Sequence, residues 1–479
     1  MKVRSSPPGV PLGTSYLADA GLGRDLSALD YGEHEYLVSG SATVWTYNGT
    51  GAAKPARTDV PYTTRVLVRA PSRPSSFNRV LIVEPLHREY DSAPTWRTTG
   101  DWILRTGAAW VGITQDPVAA TSMRTEFDPD RYAALSIPAA GLGFDIVGQV
   151  GAALKEGAVD ALASLGAVER SFLSGWSMTG SFCRAFLGDG FHARHRLDDG
   201  SPVFDGCVIG ISSGGAPTAG YPALSEGTPQ PAGDDPRRTI GAHDVPVIEL
   251  LSEFESETHQ PCLRPDGDEP DNRYRLYQVA GSSHVGFGGW SGATNREQYR
   301  RRGLPVPDRR ITETPSDARC EVVARAVFAL LDRWVATGAA PPHVEPFAFE
   351  PHAPARSNPN PTGDARELRR DEFGNVVGGV RTPWVEVPVA SYSPSSNPKP
   401  GSCEPAPGAP TNSASHVAAL LGNMAPLTGD TLRELYGSRA AYLDRYAACC
   451  RRLTREGFLL EDDVEVLIEQ ARRRELALP

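Results

Sequence analysis

Three serines in this chain stand in the spacing Gly-x-Ser-x-x-Gly: Ser177 between Gly175 and Gly180, Ser212 between Gly210 and Gly215, and Ser283 between Gly281 and Gly286. A serine held on a sharp turn between a strand and a helix presents its hydroxyl to a carbonyl carbon, and so could open acyl transfer. Only "GISSGG" spells the stricter Gly-x-Ser-x-Gly. In "FLSGWSMTGSFCRAFL", residues 172–187, Thr179 occupies the place of the second glycine. A β-branched side chain there is expected to crowd the approach of helix to strand.

Context separates the three. Before Ser177, "ERSFLS" has the apolar run of a strand, and "MTGSFCRAFL" after it can continue as a helix whose N-terminus favours developing negative charge. After Ser212 comes "GGAPTAGYPALSEG", and no helix survives those glycines and prolines. "HVGFGGWSG" after Ser283 fails in the same way. Ser177 is the expected nucleophile; an ordinary helix N-cap is its plain alternative.

A hydroxyl needs a base to take its proton and an acid to orient that base. On a strand-turn-helix nucleophile the order along the chain is serine, acid, histidine, each on a loop after a strand. His284 directly follows the strand-like "RYRLYQVAGSS", whereas His259 lies further from a strand end. The acid should follow "VPVIELL", where "SEFESE" offers Glu253, Glu255 and Glu257. Counting from Pro246 favours Glu255, with Glu253 as competitor and Glu257 expected to face water. Acyl transfer also needs N–H donors at the oxyanion, each worth roughly 3 to 4 kcal/mol. One donor is expected from the amide of Met178 and the other near Leu86 or His87, since Pro85 has no N–H.

Other chemistry has weaker signals. "HARH" (His192, His195) lacks a carboxylate partner in sequence, and "RPDGDEPDNR" lacks the spacing and final glutamate of a calcium loop. No phosphate-cradling glycine loop occurs, so no metal and no cofactor is expected.

The elements needed to position these residues follow from apolar patterning. Strands are expected at 36–46, 63–70, 79–84, 108–114, 169–174, 204–210, 245–251 and 273–280, and helices at 96–105, 143–163 and 318–336. Strands leading, then strands alternating with helices, imply an α/β fold: a mostly parallel central sheet with helices on both faces. We expect an N-terminal β extension over 1–60 and a core over 61–337 with lid insertions at about 212–243 and 286–316. A proline-rich irregular wrap over 338–428 and C-terminal helices over 429–479, at 429–456 and 460–474, complete the chain.

Composition narrows the partners. The chain has 479 residues and a net charge of −10, with lysine only at positions 2, 54, 155 and 399, which disfavours nucleic acid. No apolar run can span a bilayer, the start lacks the apolar core of a secretory signal, and seven scattered cysteines suit a reducing cytoplasm. The expected partner is a small molecule; a homodimer is one open state of assembly.

On these residues the chain resembles a bacterial family described as "alpha/beta hydrolase domain-containing". The likeness runs through "LDYGEHEYLVSGSATVW", "DPDRYAAL", "GWSMTGSF", "DVPVIELLSEFE", "RYRLYQVAGSSHV", "RDEFGNVVGGVRTPWVEVPVASYSP" and "LYGSRAAYLDRY…GFLLEDDVEVLI". It implies the α/β-hydrolase fold, with Ser177 as nucleophile, His284 as base and Glu255 or Glu253 as acid, and makes the helical end part of the family architecture. Relatives often read Ser-Gln-Ser at the elbow and carry an asparagine after the strand, where this chain has Met178 and Thr179, and "EPLH" with His87. Both departures bear on substrate choice. The expected activity is hydrolysis of a carboxylic ester or lactone by a Ser-His-Glu triad through an acyl-enzyme. Transfer of the acyl group to an alcohol or amine is the alternative within that chemistry. A non-hydrolytic lyase or a binding protein on the same fold is the alternative outside it.

Overall fold

The computed structural model describes residues 1–13, 24–47, 52–212, 235–258, 260–286, 293–304, 311–354, 366–400 and 418–479. Two units divide the chain: Met1–Val247 with Glu269–Arg273 and Ser291–Val306, and Ile248–Asp268 with Tyr274–Trp290 and Pro307–Pro479.

In the first unit, seven strands form one sheet: β1 Lys2–Ser5, β2 Tyr31–Tyr47, β3 Ala53–Pro71, β4 Val80–Pro85, β5 Ala109–Ile113, β6 Arg170–Trp176 and β7 Gly206–Gly210, in the order β1-β2-β3-β5-β4-β6-β7. The leading edge, β1 to β3 and on to β5, is antiparallel. From β5 through β4 and β6 to β7 the pairing is parallel. These parallel strands are mostly apolar, and every residue of β4, β5 and β7 is buried, as a sheet covered on two faces requires.

Two elements differ from the sequence expectation for local reasons. Strand β3 starts ten residues earlier than its apolar run: Pro55 and Pro61 sit opposite Trp45 and Ser41 of β2, and the register shifts between Ala42 and Trp45. β5 pairs only with Val66–Arg69, so among the described strands the proline arm has one neighbour, and a missing N–H is tolerated there. The helix expected over 143–163 ends at Lys155. Gly157 adopts φ +77°, Ala158 N–H returns to the Ala153 carbonyl, and only a short turn, Asp160–Ala163, follows. Within the expected second lid insertion, Ala293–Arg301 is helical, with Glu297 paired to Arg300 and Arg301.

A buried charge cluster ties this unit together. Arg65 bonds Glu35 (2.5 Å), Asp91 (2.9 Å) and the Leu12 carbonyl. Arg131 and Tyr132 reach the same Glu35, and Asp91 also accepts from Thr114 at 2.6 Å. Each charge has an opposite partner, without which burial would be strongly unfavourable. Burial still pushes the Asp91 carboxyl up to about 6, against the pull of Arg65 and Thr114.

The second unit holds most of β8 Val247–Leu251, β9 Gly267–Glu269 and β10 Asn272–Gln278, in the order β8-β10-β9. A long amphipathic helix, Glu321–Thr337, buries Val323, Val327, Phe328, Leu331 and Trp334. The proline-rich stretch is not wholly irregular: Phe349–Pro354 pairs with Arg366–Leu368, and Ala390–Ser393 with Asn423–Pro426. Three helices end the chain where two are expected, at Gly429–Tyr436, Arg439–Glu456 and Glu461–Arg473. Gly437, at φ +71°, stops the first, and the Ser438 side chain accepts from Ala441 N–H to start the second.

Candidate active site

Strand β6 delivers Ser177. Its apolar residues Phe172 and Leu173 are fixed by parallel pairing to β4 and β7, and the chain then reverses into the helix Met178–Gly188 within one residue. That reversal places Ser177 at φ 57°, ψ −125°, a conformation costly for any residue with a Cβ. The Ser177 amide is tied to the Gly210 carbonyl at 3.1 Å, and its own carbonyl accepts from Ser181 N–H. Its side chain makes no cap hydrogen bond to the helix, which distinguishes it from an N-cap serine.

Thr179 does not crowd the turn. Its hydroxyl accepts from the Trp176 amide and donates to the Trp176 carbonyl, both at 2.9 Å, so the side chain staples the reversal. The close approach falls one residue later. A Cβ on Gly180 would lie 2.6 Å from the Gly210 carbonyl oxygen, and one on Gly175 would lie 2.2 Å from the Thr179 carbonyl oxygen. Gly175 and Gly180 therefore do the work that the stricter motif assigns to a glycine at 179.

The two competing serines have other partners. Ser212 is buried and accepts from Arg184 Nε at 2.6 Å, while another nitrogen of Arg184 bonds the Arg238 carbonyl at 2.5 Å. Ser283 is buried and donates to the Val285 carbonyl at 2.8 Å. Nothing in the sequence pattern announces the Arg184 clamp, because its partners are main-chain and hydroxyl oxygens.

In the second unit, β8 runs into the short helix Glu253–Thr258, and the turn after β10 carries His284. The structure brings His284 Nδ1 against Glu255 Oε1. The second oxygen of Glu255 accepts from the Ser252 hydroxyl and, at 3.3 Å, from the Ser252 amide. A carboxylate at Nδ1 assigns proton exchange to Nε2 of the imidazole. The Phe254 ring meets the imidazole edge-on at 6.1 Å.

Glu253 is directed elsewhere. It accepts from Gly281 N–H at 2.6 Å and forms an ion pair with Arg370 at 2.9 Å, and burial raises its carboxyl despite that guanidinium. Glu257, expected to face water, is 1 % exposed and accepts from Leu368 N–H. Burial pushes it up to about 7. Glu253 and Glu257 thus hold the segment 366–370, while Glu255 alone of the three meets His284. His259, most of the first expected lid insertion and parts of the second lie outside the described residues.

For the oxyanion, Met178 opens its helix, so its amide is among the N–H groups with no intrahelical acceptor. At the second expected position both main-chain amides are engaged. Leu86 N–H is spent on the Ile113 carbonyl and His87 N–H on the Ser92 carbonyl, both at 2.8 Å. Behind them, Glu84 at the end of β4 accepts from the amides of Thr95 and Trp96 and from the Trp110 indole, and its complete burial pushes it up to about 7.

The remaining candidates form no shared ligand set. His192 bonds Asp244 and His195 bonds Asp145, while Asp266 and Asp268 both face His343. Among the described residues, no group of three or more His, Cys, Asp or Glu could hold a metal ion. No described helix is long and apolar enough to cross a membrane.

The fold agrees with the family to which the sequence belongs. The chain belongs to the family described as "Alpha/beta hydrolase domain", whose model matches residues 4–469. Solved structures similar to it include esterase 2 of Thermogutta terrifontis phosphoramylated by tabun, at 12 % identity and TM-score 0.31, covering 55 % of this chain and 92 % of that one. A thermostable esterase from Pseudomonas putida ECU1011 is similar at 12 % identity and TM-score 0.30, over 57 % of this chain and 82 % of that one. Brefeldin A esterase, a bacterial homologue of human hormone sensitive lipase, is similar at 14 % identity and TM-score 0.28, over 63 % and 70 %. No curated protein matches the chain.

Proposed function

We propose that this protein is a serine hydrolase of carboxylic esters or lactones. Ser177 Oγ attacks the carbonyl carbon while His284 Nε2 takes its proton, and Glu255 holds the imidazole in the required tautomer and balances the imidazolium. The carbonyl π pair moves to oxygen, where the Met178 amide stabilises it. Collapse breaks the bond to the leaving alkoxide, which receives the proton from His284. A water deprotonated by His284 then releases the acyl group and frees Ser177. The reading calls for no metal or organic cofactor.

The observation that carries it is the backbone of Ser177, φ 57° and ψ −125°, at an abrupt strand-to-helix junction, with no cap bond made by its hydroxyl. Strain of this kind persists where surrounding packing enforces it, and here Gly175, Gly180 and the Thr179 staple do so. A fluorophosphonate probe is the direct test. One equivalent should attach to Ser177, and Ser177→Ala should abolish it; an unlabelled wild-type protein refutes the proposal.

A further inference from the structure

Glu255 occupies a position that helix chemistry recognises. Ser252 follows β8 directly and precedes the helix Glu253–Thr258, so it is the N-cap and Glu255 the third helical residue. "SEFE" is thus the Ser-x-x-Glu of a capping box, in which the serine hydroxyl accepts a helix N–H and the glutamate reaches back to the serine amide. Both halves are present. The Ser252 hydroxyl accepts from Phe254 N–H at 3.2 Å, and Glu255 Oε2 accepts from the Ser252 amide at 3.3 Å.

This box does more than start a helix. The Ser252 hydroxyl also donates its proton to Glu255 Oε2, so one oxygen of the carboxylate takes two donors from a single residue, while the other faces His284 Nδ1. Ser252 and Glu255 are each 1 % exposed, so the carboxylate has little water to turn toward. The surrounding backbone is fixed without help from the Ser252 side chain. Val279 N–H donates to the Leu251 carbonyl at 2.8 Å, joining the strand ends that lead to the two turns. The Ser252 carbonyl accepts from Ser256 N–H at 3.1 Å and from the Ser256 hydroxyl at 2.7 Å. A glutamate side chain has several torsions to freeze, and what the Ser252 hydroxyl adds is the orientation of its carboxylate.

We propose that Ser252 is a positioning residue for the triad: its hydroxyl and amide hold Glu255 Oε2, so that Oε1 meets His284 Nδ1 and keeps the imidazole proton on that nitrogen. Ser252 acts through Glu255 and exchanges no proton with the substrate. The inference rests on the reading of Glu255 and His284 as acid and base of the proposed hydrolase.

The test pairs steady-state kinetics on an activated ester with nitrogen NMR of isotope-labelled histidine, the His284 signals being assigned by their loss in His284→Gln. Ser252→Ala removes the hydroxyl and keeps the amide. It should lower kcat by about 10- to 100-fold, with KM within about threefold of wild type, the scale of one hydrogen bond to a carboxylate. Ser252→Thr, which keeps the hydroxyl, should recover at least about fivefold of that loss. In the wild type the neutral His284 imidazole should show one tautomer, protonated at Nδ1, and in Ser252→Ala a mixture of two. A lost packing contact alone would lower the unfolding temperature and leave the tautomer as it was. Ser252→Ala with wild-type kcat, or with the single Nδ1 tautomer intact, overturns the assignment, as does Ser252→Thr impaired as deeply as Ser252→Ala. The hydrolase reading fails separately, if wild-type Ser177 takes no fluorophosphonate label; the tautomer of His284 judges Ser252 in either case.

Discussion

Replacing Glu255 by glutamine tests the site's internal logic, because the surroundings dictate how the new amide must sit. In the native protein one Glu255 oxygen faces His284 Nδ1 and the other accepts from both the hydroxyl and the amide of Ser252. The Ser252 hydroxyl itself accepts from Phe254 N–H at 3.2 Å, so its own proton is committed toward residue 255. Two donors at that position select the amide oxygen of Glu255→Gln and turn its NH₂ toward His284. Nδ1 must then accept, the imidazole proton moves to Nε2, and the nitrogen needed as base is blocked. A base held in the wrong tautomer costs about 10⁴-fold in kcat, or about 5 kcal/mol of transition-state stabilisation. Turnover of an activated ester at neutral pH measures this, with Glu253→Gln as the control that should stay within about tenfold because it touches Gly281 and Arg370 instead. Glu255→Gln within tenfold of wild type, or equal losses in both variants, refutes the reasoning.

Three further outcomes concern stability. Glu257 is held near 7 when folded against an ordinary 4.5, so between those pH values the folded chain keeps a proton the unfolded chain has released. Stability should therefore fall as pH rises from about 4.5 to about 7, by up to about 3 kcal/mol from this group. Urea unfolding of wild type and Glu257→Gln across pH 5 to 8 should show a gap that changes with pH, and a constant gap counts against it. At the elbow, Thr179→Val strands the Trp176 amide and should cost about 1–3 kcal/mol, whereas Thr179→Ser should be nearly neutral. Gly180→Ala meets the Gly210 carbonyl oxygen at 2.6 Å and should cost about 1–3 kcal/mol. Thermal unfolding reads both, and a fully tolerated Gly180→Ala would show that the helix can shift.

What the sequence discloses about the site depends on whether the signal is local. Ser177 stands out because strand, turn and helix are contiguous, and His284 because it ends an apolar run. Choosing among Glu253, Glu255 and Glu257 needs the knowledge that they lie on a helix. At about 100° per residue, 253 and 257 share a face and 255 points oppositely. Read as a loop, the run offers no such division. The Thr179 staple is invisible for another reason: a pattern records that glycine is missing, not that a hydroxyl can bridge the turn. Main-chain commitments, such as those of Leu86 and His87, leave no trace in residue types at all. Arg370, more than a hundred residues from Glu253, is likewise beyond any local pattern.

The first thirteen residues carry a consequence in time. Leu12 and Gly13 give their carbonyls to Arg65 and Arg69, Leu12 N–H goes to Tyr132, and Gly13 N–H and the Pro11 carbonyl are held by Gln298. These residues thus wait for a partner nearly three hundred positions later in the chain. At about 5–20 residues per second, roughly 15–60 s pass on the ribosome between the synthesis of Gly13 and that of Gln298. The same late helix supplies Asn295 to the carbonyls of Tyr90 and Asp91. A nascent chain can therefore complete β4, β5 and β6 well before the loop bearing His87 receives its last support. Strands β4 to β6 are complete early; the support of the loop bearing His87 arrives late.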